Sequence, residues 1–138
     1  MPEQEQQELV RRYQEIQQQV QQLQQYIETV EENISELDTT IRAVGDLEDV
    51  EEGTEILAPL GSGVMAVAEL KENDRVITEL GGNTREKKDT EDAVEVLETK
   101  KSDLEETKED IEGTLQELQT QMQQVEGQLQ KLQRQQQQ

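Results

Sequence analysis

The side chains that most often carry acid–base, nucleophilic or metal chemistry are missing from this sequence. It contains no histidine and no cysteine, which excludes a histidine general base, a thiolate nucleophile, a disulfide and a His- or Cys-based metal site. A serine lies between two glycines in Gly61-Ser62-Gly63, but the segment lacks the GxxxxGK[ST] spacing of a phosphate-binding loop, and no neighbouring base activates the hydroxyl. We therefore predict that the protein is not an enzyme and uses no cofactor.

Carboxylates are the abundant charged groups, with 33 Asp and Glu against 13 Lys and Arg. They are dense in the connector 46–53, which reads DLEDVEEG. Such a segment could bind a cation, yet its spacing lacks the central glycine and final glutamate of an EF-hand loop. A solvated acidic linker is the simpler interpretation, and we predict no metal site.

The formal net charge is −20 and the sequence pI is about 4.2. Nucleic acid and anionic membranes both require surfaces rich in Lys and Arg, so we exclude both as partners. The acidic excess has two open explanations, adaptation to a salt-rich cell and an ordinary acidic coiled coil. Residues 1–8 lack a basic start followed by an apolar run, and no apolar run approaches about 18 residues. We expect a cytoplasmic protein.

Residues 5–45 are predicted to form one long helix. Their apolar residues recur with alternating gaps of four and three, which is the heptad pattern of a coiled coil, and Gln and Glu fill most of the positions between. Gly45 follows the last of them, where a helix-ending residue is expected. The apolar seam consists of Leu9, Tyr13, Ile16, Val20, Leu23, Ile27, Val30, Ile34, Leu37, Ile41 and Val44.

Residues 89–134 are predicted to form a second helix with the same periodicity. Asp89 and Asp92 resemble a capping box at its start, and the Gln-rich end 135–138 is predicted to be a disordered tail. Gly113 and Gly127 fall on the outermost heptad position, where each weakens the helix. The second seam consists of Val94, Leu97, Lys101, Leu104, Lys108, Ile111, Leu115, Leu118, Met122, Val125, Leu129 and Leu132.

Two seam positions of the second helix are lysines, and they bear on the pairing of the helices. Two seams of equal length joined by a short segment predict an antiparallel hairpin. With Leu9 opposite Leu132, Lys101 and Lys108 fall near residues 40 and 33, which makes Glu32 and Glu36 plausible ion-pair partners. The alternative is that both ammonium groups extend to water along their aliphatic stems.

Between the helices, residues 54–88 have a β-sheet composition. Four short runs rich in Val, Ile, Leu and Thr are separated by Gly- and Asn-containing turns, which is typical of two β-hairpins. Residues 56–61 recur as 76–81, so the hairpins form an internal repeat. We predict strands at 54–60, 64–70, 75–80 and, more weakly because it is polar, 84–88.

The two hairpins are too small to be stable alone, because isolated two-stranded ribbons are marginal in water. Their free edges and apolar faces call for further strands. We therefore predict an α+β fold in which a long antiparallel two-helix coiled-coil hairpin carries two β-hairpins at its bend, and a shared barrel or sandwich is completed by oligomerisation. The residues expected at this joint are Ile56, Leu57, Leu60, Val64, Val67, Leu70, Val76, Ile77 and Leu80.

The order helix, two hairpins, helix resembles the alpha subunit of archaeal prefoldin. The most specific match is the run Glu55-Ile56-Leu57-Ala58-Pro59-Leu60-Gly61-Ser62-Gly63-Val64, and two hairpins favour the alpha over the beta type. The resemblance spans nearly the whole of residues 1–138 as a single domain. It departs at 83–88, where relatives have an apolar strand and this chain reads NTREKK, so we expect the last strand to be short or frayed.

The resemblance implies a chaperone that needs no ATP. Two alpha and four beta subunits would form a hexamer in which the β-barrels form a platform. The coiled-coil tips would hold unfolded polypeptides and deliver them to a group II chaperonin. The client-binding residues would be the seam residues nearest the chain ends, which are Leu9, Tyr13, Ile16, Val125, Leu129 and Leu132. The alternative is a structural spacer or tether that uses the hairpins only to oligomerise.

Overall fold

The structure, a computed structural model, describes residues 2–137 and confirms the predicted order of elements. Two long helices enclose four strands in the sequence, and the strands pair as two separate antiparallel hairpins. The elements are α1 (Pro2–Leu47), β1 (Glu55–Gly61), β2 (Val64–Glu69), β3 (Arg75–Gly81), β4 (Thr84–Asp89) and α2 (Thr90–Gln137).

The chain forms two compact units. The terminal unit consists of residues 2–33 and 104–137, and the hairpin unit of Ile34–Asp103. In the terminal unit the core is the coiled-coil seam, with Ile16, Leu118 and Val125 buried. Partly buried seam residues pack against these three, as the alternating gaps of four and three predict. They are Leu9, Tyr13, Val20, Leu23, Met122 and Leu129.

Helix α1 does not end at Gly45, as its composition suggested, but continues to Leu47. Backbone hydrogen bonds between residues three apart then form a turn. The amides of Asp49 and Val50 donate to the carbonyls of Asp46 and Leu47 at 3.1 Å each. The carbonyl of Val50 accepts a hydrogen bond of 3.0 Å from the Asn73 side chain. A distant side chain therefore fixes the chain just after the helix, and the local glycine signal was misleading.

The seam lysines are ion-paired, but not with the predicted glutamates. Lys101 Nζ lies 2.7 Å from Asp38 Oδ1, and Lys108 Nζ lies 3.3 Å from Glu31 Oε1 and 3.9 Å from Glu112 Oε1. Asp38 and Glu31 both occupy the heptad position that follows an apolar seam residue, where a side chain reaches across to the facing helix. The predicted partners Glu32 and Glu36 occupy outer positions and are exposed.

Both hairpins turn in the same way. In the first, Ser62 and Gly63 have φ of 52° and 80°, and in the second Gly82 and Asn83 have φ of 57° and 65°. Two successive positive φ values are typical of the tight turns that match strand twist. Each hairpin also shifts register just before its turn, between Pro59 and Gly61 or between Glu79 and Gly81. The repeat seen in the sequence is thus a repeat of backbone geometry.

The last strand is not frayed. Strand β4 pairs with β3 along its six residues, from Arg75 opposite Asp89 to Gly81 opposite Thr84. Charge takes the place of apolar contacts, because Arg75 Nε lies 3.5 Å from Asp89 Oδ1 and Arg85 Nη2 lies 3.6 Å from Glu79 Oε1. Cross-strand pairs of opposite charge stabilise a ladder in this way.

Two boundaries of α2 also differ from the prediction. Asp89 is the last residue of β4 and directly precedes α2, and its carboxylate pairs with Arg75, so the structure does not show the predicted capping box. The predicted tail is helical through Gln137, and its last residue, Gln138, lies outside the described residues. Because Gln is a good helix former, a run of Gln extends the helix.

Candidate functional site

The six apolar residues predicted near the chain ends come together in the terminal unit. Ile16 and Val125 are buried with relative exposures of 5% and 3%, and the other four are partly buried. Leu9 and Leu132 line one open groove of about 520 Å³. The remaining residues of this groove are polar: Glu5, Glu8, Arg12, Gln128, Lys131 and Gln135. The first turns of α1 and the last turns of α2 thus expose a small apolar floor within a polar rim.

Tyr13 fixes the pairing of the helices next to this groove. Its hydroxyl donates a hydrogen bond of 3.0 Å to Glu126 Oε1. The hydrogen bond to Glu126 and the negative charge of that carboxylate raise the pKa of the Tyr13 phenol above its ordinary value of 10.0. Tyr13 to Glu31 along α1 spans as many residues as Glu126 to Lys108 along α2, so both pairs follow one register.

The first hairpin has an apolar face that no described residue covers. Leu57 lies opposite Val67, and Pro59 opposite Met65, and residues opposite each other in an antiparallel pair share one face. Leu57, Val67 and Met65 are 60%, 69% and 53% exposed. Met65 was missed in the sequence, although its alternation with Val67 places it on the same face.

The other predicted hairpin residues divide into two groups. Ile56, Leu60, Val64, Ile77 and Leu80 are exposed, whereas Leu70 and Val76 are partly buried. Exposed apolar side chains on this scale are typical of interaction surfaces.

The face of the second hairpin is chemically different. Ile77 lies opposite Lys87, and its neighbours on the same face are the pairs Arg75–Asp89 and Glu79–Arg85. Lys87 Nζ reaches Glu72 Oε2 at 2.6 Å. This hydrogen bond holds the pKa of Glu72 below its ordinary value of 4.5. One backbone repeat therefore presents two surfaces, one apolar and one charged.

A polar junction connects the hairpins to both helices. The Asn73 side chain donates to the carbonyl of Val50 at 3.0 Å and to that of Glu48 at 3.4 Å. The hydroxyl of Thr90, the first residue of α2 and one of the buried polar residues, donates to the carboxylate of Glu48. The acidic connector 46–53 is therefore part of a fixed junction rather than a free linker.

Neither a metal cluster nor a membrane span is found in the described residues. Within 2–137 no group of three or more Asp and Glu side chains is arranged to hold a metal ion. Neither of the helices in this range is long and apolar enough to cross a membrane.

Comparison with known proteins gives a consistent result. The family model named Prefoldin, described as prefoldin subunit, matches residues 3–135. The chain is 33% identical over 101 residues to prefoldin subunit alpha of Methanothrix thermoacetophila, covering 73% of this chain and 66% of that protein. It is 36% identical over 67 residues to prefoldin subunit alpha of Halorubrum lacusprofundi, covering 49% of this chain and 42% of that protein.

The fold is also found among solved structures. A cryo-EM structure of filamentous PFD from Methanocaldococcus jannaschii matches with a TM-score of 0.74 over 88% of this chain and 98% of that chain. The sequence identity is 21%, so this likeness is one of fold. The matches cover only part of the length of the curated relatives, 66% of the Methanothrix protein and 54% of the Thermofilum pendens protein.

Proposed function

Because this chain belongs to the prefoldin family, we propose that it is a subunit of an ATP-independent chaperone that holds unfolded polypeptides at the apolar ends of its helices. The observation that carries the proposal is the groove floored by Leu9 and Leu132. Its floor is apolar and open, and it lies at the first turns of α1 and the last turns of α2, where few contacts oppose opening.

The binding surface grows when the helix ends separate. Leu9, Tyr13, Leu129 and Leu132 are already partly exposed, and Ile16 and Val125 become accessible once the seam opens beyond them. Burial of apolar area contributes roughly 25 cal/mol per Å², so one groove of this size binds weakly. Several arms that act together give useful affinity for clients of different sequence.

The hairpins provide the means of bringing several arms together. The uncovered face of Leu57, Met65 and Val67 suits packing against hairpins of other prefoldin subunits, which completes a barrel. Two alpha-type and four beta-type subunits, delivery to a group II chaperonin and a cytoplasmic location are further parts of this proposal.

Holding of an aggregating client tests the proposal against the alternative of a spacer. The assembled protein without ATP should suppress aggregation of an unrelated denatured protein, and a spacer would not. Replacing Leu9, Tyr13, Leu129 and Leu132 by Ser should abolish suppression and leave the native mass unchanged. The matched control is Val10→Ser, which removes a 40% exposed apolar side chain outside the seam. Full suppression by the four-Ser variant would place the client site elsewhere.

A further inference from the structure

The glutamines of this chain are confined to its two ends. All 23 lie in residues 4–25 and 116–138, and residues 26–115 contain none. Charge follows the opposite pattern, because residues 26–115 hold 27 acidic and 9 basic residues, a net of −18, and the rest of the chain holds 6 and 4, a net of −2. The described glutamines all belong to the terminal unit. The glutamine-bearing part of that unit, residues 4–25 and 116–137, therefore carries a nearly neutral surface of primary amides, which we call the glutamine coat.

The amides of the glutamine coat are almost unused within the protein. Across residues 2–137, the side-chain hydrogen bonds include one between glutamines, from Gln136 Nε2 to Gln6 Oε1 at 3.4 Å, and no other glutamine side chain bonds a protein group. Each free amide offers two donors and one acceptor oxygen. These are the same groups that an unfolded backbone presents at every peptide bond.

Surface depressions of the terminal unit are lined by this coat. One of about 650 Å³ on α2 is lined by Gln116, Gln121 and Gln124, and is open beside Gly113, which has no side chain. A second, of about 410 Å³ on α1, is lined by Gln4 and Gln7 together with the oppositely charged Glu8 and Arg11. Gln128 and Gln135 line the apolar groove itself. Glutamine amides thus lie at the edge of the apolar floor and also at other positions along both helices.

We propose that the glutamine coat is a second client-contacting surface, which hydrogen-bonds the main-chain amides of an unfolded, extended polypeptide whose apolar side chains lie in the groove. This inference rests on the function proposed above and adds its chemistry. Main-chain recognition does not depend on client sequence, and the near-neutral coat neither repels acidic clients nor selects basic ones. The acidic stretch 26–115 has no glutamine amides to bond a main chain, and its net charge of −18 would repel acidic clients.

The test uses the full chain in its native assembly and four exposed glutamines, Gln116, Gln121, Gln124 and Gln128, replaced together by Ala or by Glu. Ala removes the amides without adding charge and keeps the helix. The matched control replaces Ser35, Thr39, Thr99 and Ser102 by Ala, which are exposed, uncharged helical residues outside the coat. Holding is measured with one acidic and one basic denatured client.

We expect the Ala variant to hold both clients roughly three- to tenfold more weakly, as the loss of one or two net hydrogen bonds predicts, and the control to match wild type. An unstructured apolar peptide with alternate N-methylated amides should bind wild type more weakly than its unmethylated form, and this difference should shrink in the Ala variant. The inference would be overturned if the Ala variant held both clients as well as wild type does. It would also be overturned if the Glu variant only lost the acidic client and held the basic client instead. If wild type holds neither client, the proposed function itself fails.

Discussion

The Tyr13 hydroxyl donates to Glu126 Oε1 across the two helices, at 3.0 Å, and this pair has the same register as Glu31 with Lys108. In each of the three interhelical pairs with a carboxylate described above, the acidic partner directly follows an apolar seam residue. Polar contacts at these flanking positions fix which residues of an antiparallel coiled coil face each other.

The Tyr13–Glu126 pair predicts a pH dependence. The folded-state pKa of Tyr13 is raised above 10.0, so the stabilisation from this pair is fully present below that pH and is lost as pH rises through the raised value. In a Tyr26→Phe background, phenolate absorbance reports Tyr13 alone, since the chain has two tyrosines. Glu126→Gln should lower its titration midpoint toward 10.0. An unchanged midpoint would show that the carboxylate does not perturb the phenol.

Asn73 is predicted to stabilise the hairpin unit. Its side chain donates to carbonyls of Val50 and Glu48, so Asn73→Ala leaves these carbonyls without their donor and should cost about 1–2 kcal/mol in the free energy of unfolding. Urea midpoints measure the change. Asn33→Ala, at an exposed position in α1, is the control and should be neutral or slightly stabilising. Equal midpoints for the two variants would contradict the role of the junction.

The exposed face of the first hairpin is predicted to be the assembly surface. Leu57→Asp or Val67→Asp would bury an unpaired charge between subunits, at a cost of order several kcal/mol. Both side chains are exposed in the single chain, so its own fold should survive. We expect a lower native mass at constant helical content. Val96→Asp alters an apolar residue on α2 with 39% exposure and should leave the mass unchanged. A full assembly built from the Leu57 and Val67 variants would move the joint elsewhere.

Acid should loosen the second hairpin through Glu72. The hydrogen bond from Lys87 depresses the folded-state pKa of this carboxyl below 4.5, so its stabilising contribution is present above pH 4.5 and is lost as pH falls through the depressed value. The Glu72 carboxyl resonance should titrate below 4.5 in the native chain and move upward in Lys87→Met. Titration at the same pH in both proteins would remove the basis for this prediction.

High salt should raise the melting temperature. With a net charge of −20, the folded chain repels itself, and the Debye length shrinks from about 10 Å at 0.1 M salt to about 3 Å at 1 M. A neutral osmolyte at equal osmolality separates charge screening from general exclusion effects. A melting curve insensitive to salt would count against adaptation to a salt-rich cell.

Regular patterns in the sequence predicted the elements, and contacts between distant residues decided their ends. The alternating gaps from Leu9 to Val44 predict a coiled coil, because a narrow apolar stripe sustained over five heptads is buried by packing along a partner helix. The turn at Gly61-Ser62-Gly63 could be predicted because glycine readily adopts the positive φ values that a tight turn requires. In contrast, α1 continues past Gly45 to a junction in which Asn73 takes part, and the polar strand β4 pairs with β3 along its six residues, which its own composition does not predict.

The candidate surfaces were predicted to a similar degree. Periodicity placed Leu9 and Leu132 together, because an antiparallel seam must pair its two ends. The ion-pair partners of Lys101 and Lys108 depended on which heptad positions reach across the seam, a matter of side-chain direction. The polar rim of the groove, including Arg12 and Lys131, could not be predicted from the sequence. Its charged residues resemble any others on a helix surface until the position of the facing helix is known.

The sequence separation of the polar pairs has a consequence for folding order. Turns within each hairpin join near neighbours, Thr90 bonds Glu48 across 42 residues, and Tyr13 bonds Glu126 across 113. Closing a longer loop costs more chain entropy, so local hairpins form first and pairing then proceeds toward the chain ends. We therefore expect the region proposed to hold clients to assemble last, and its ends, which have few contacts, to open first.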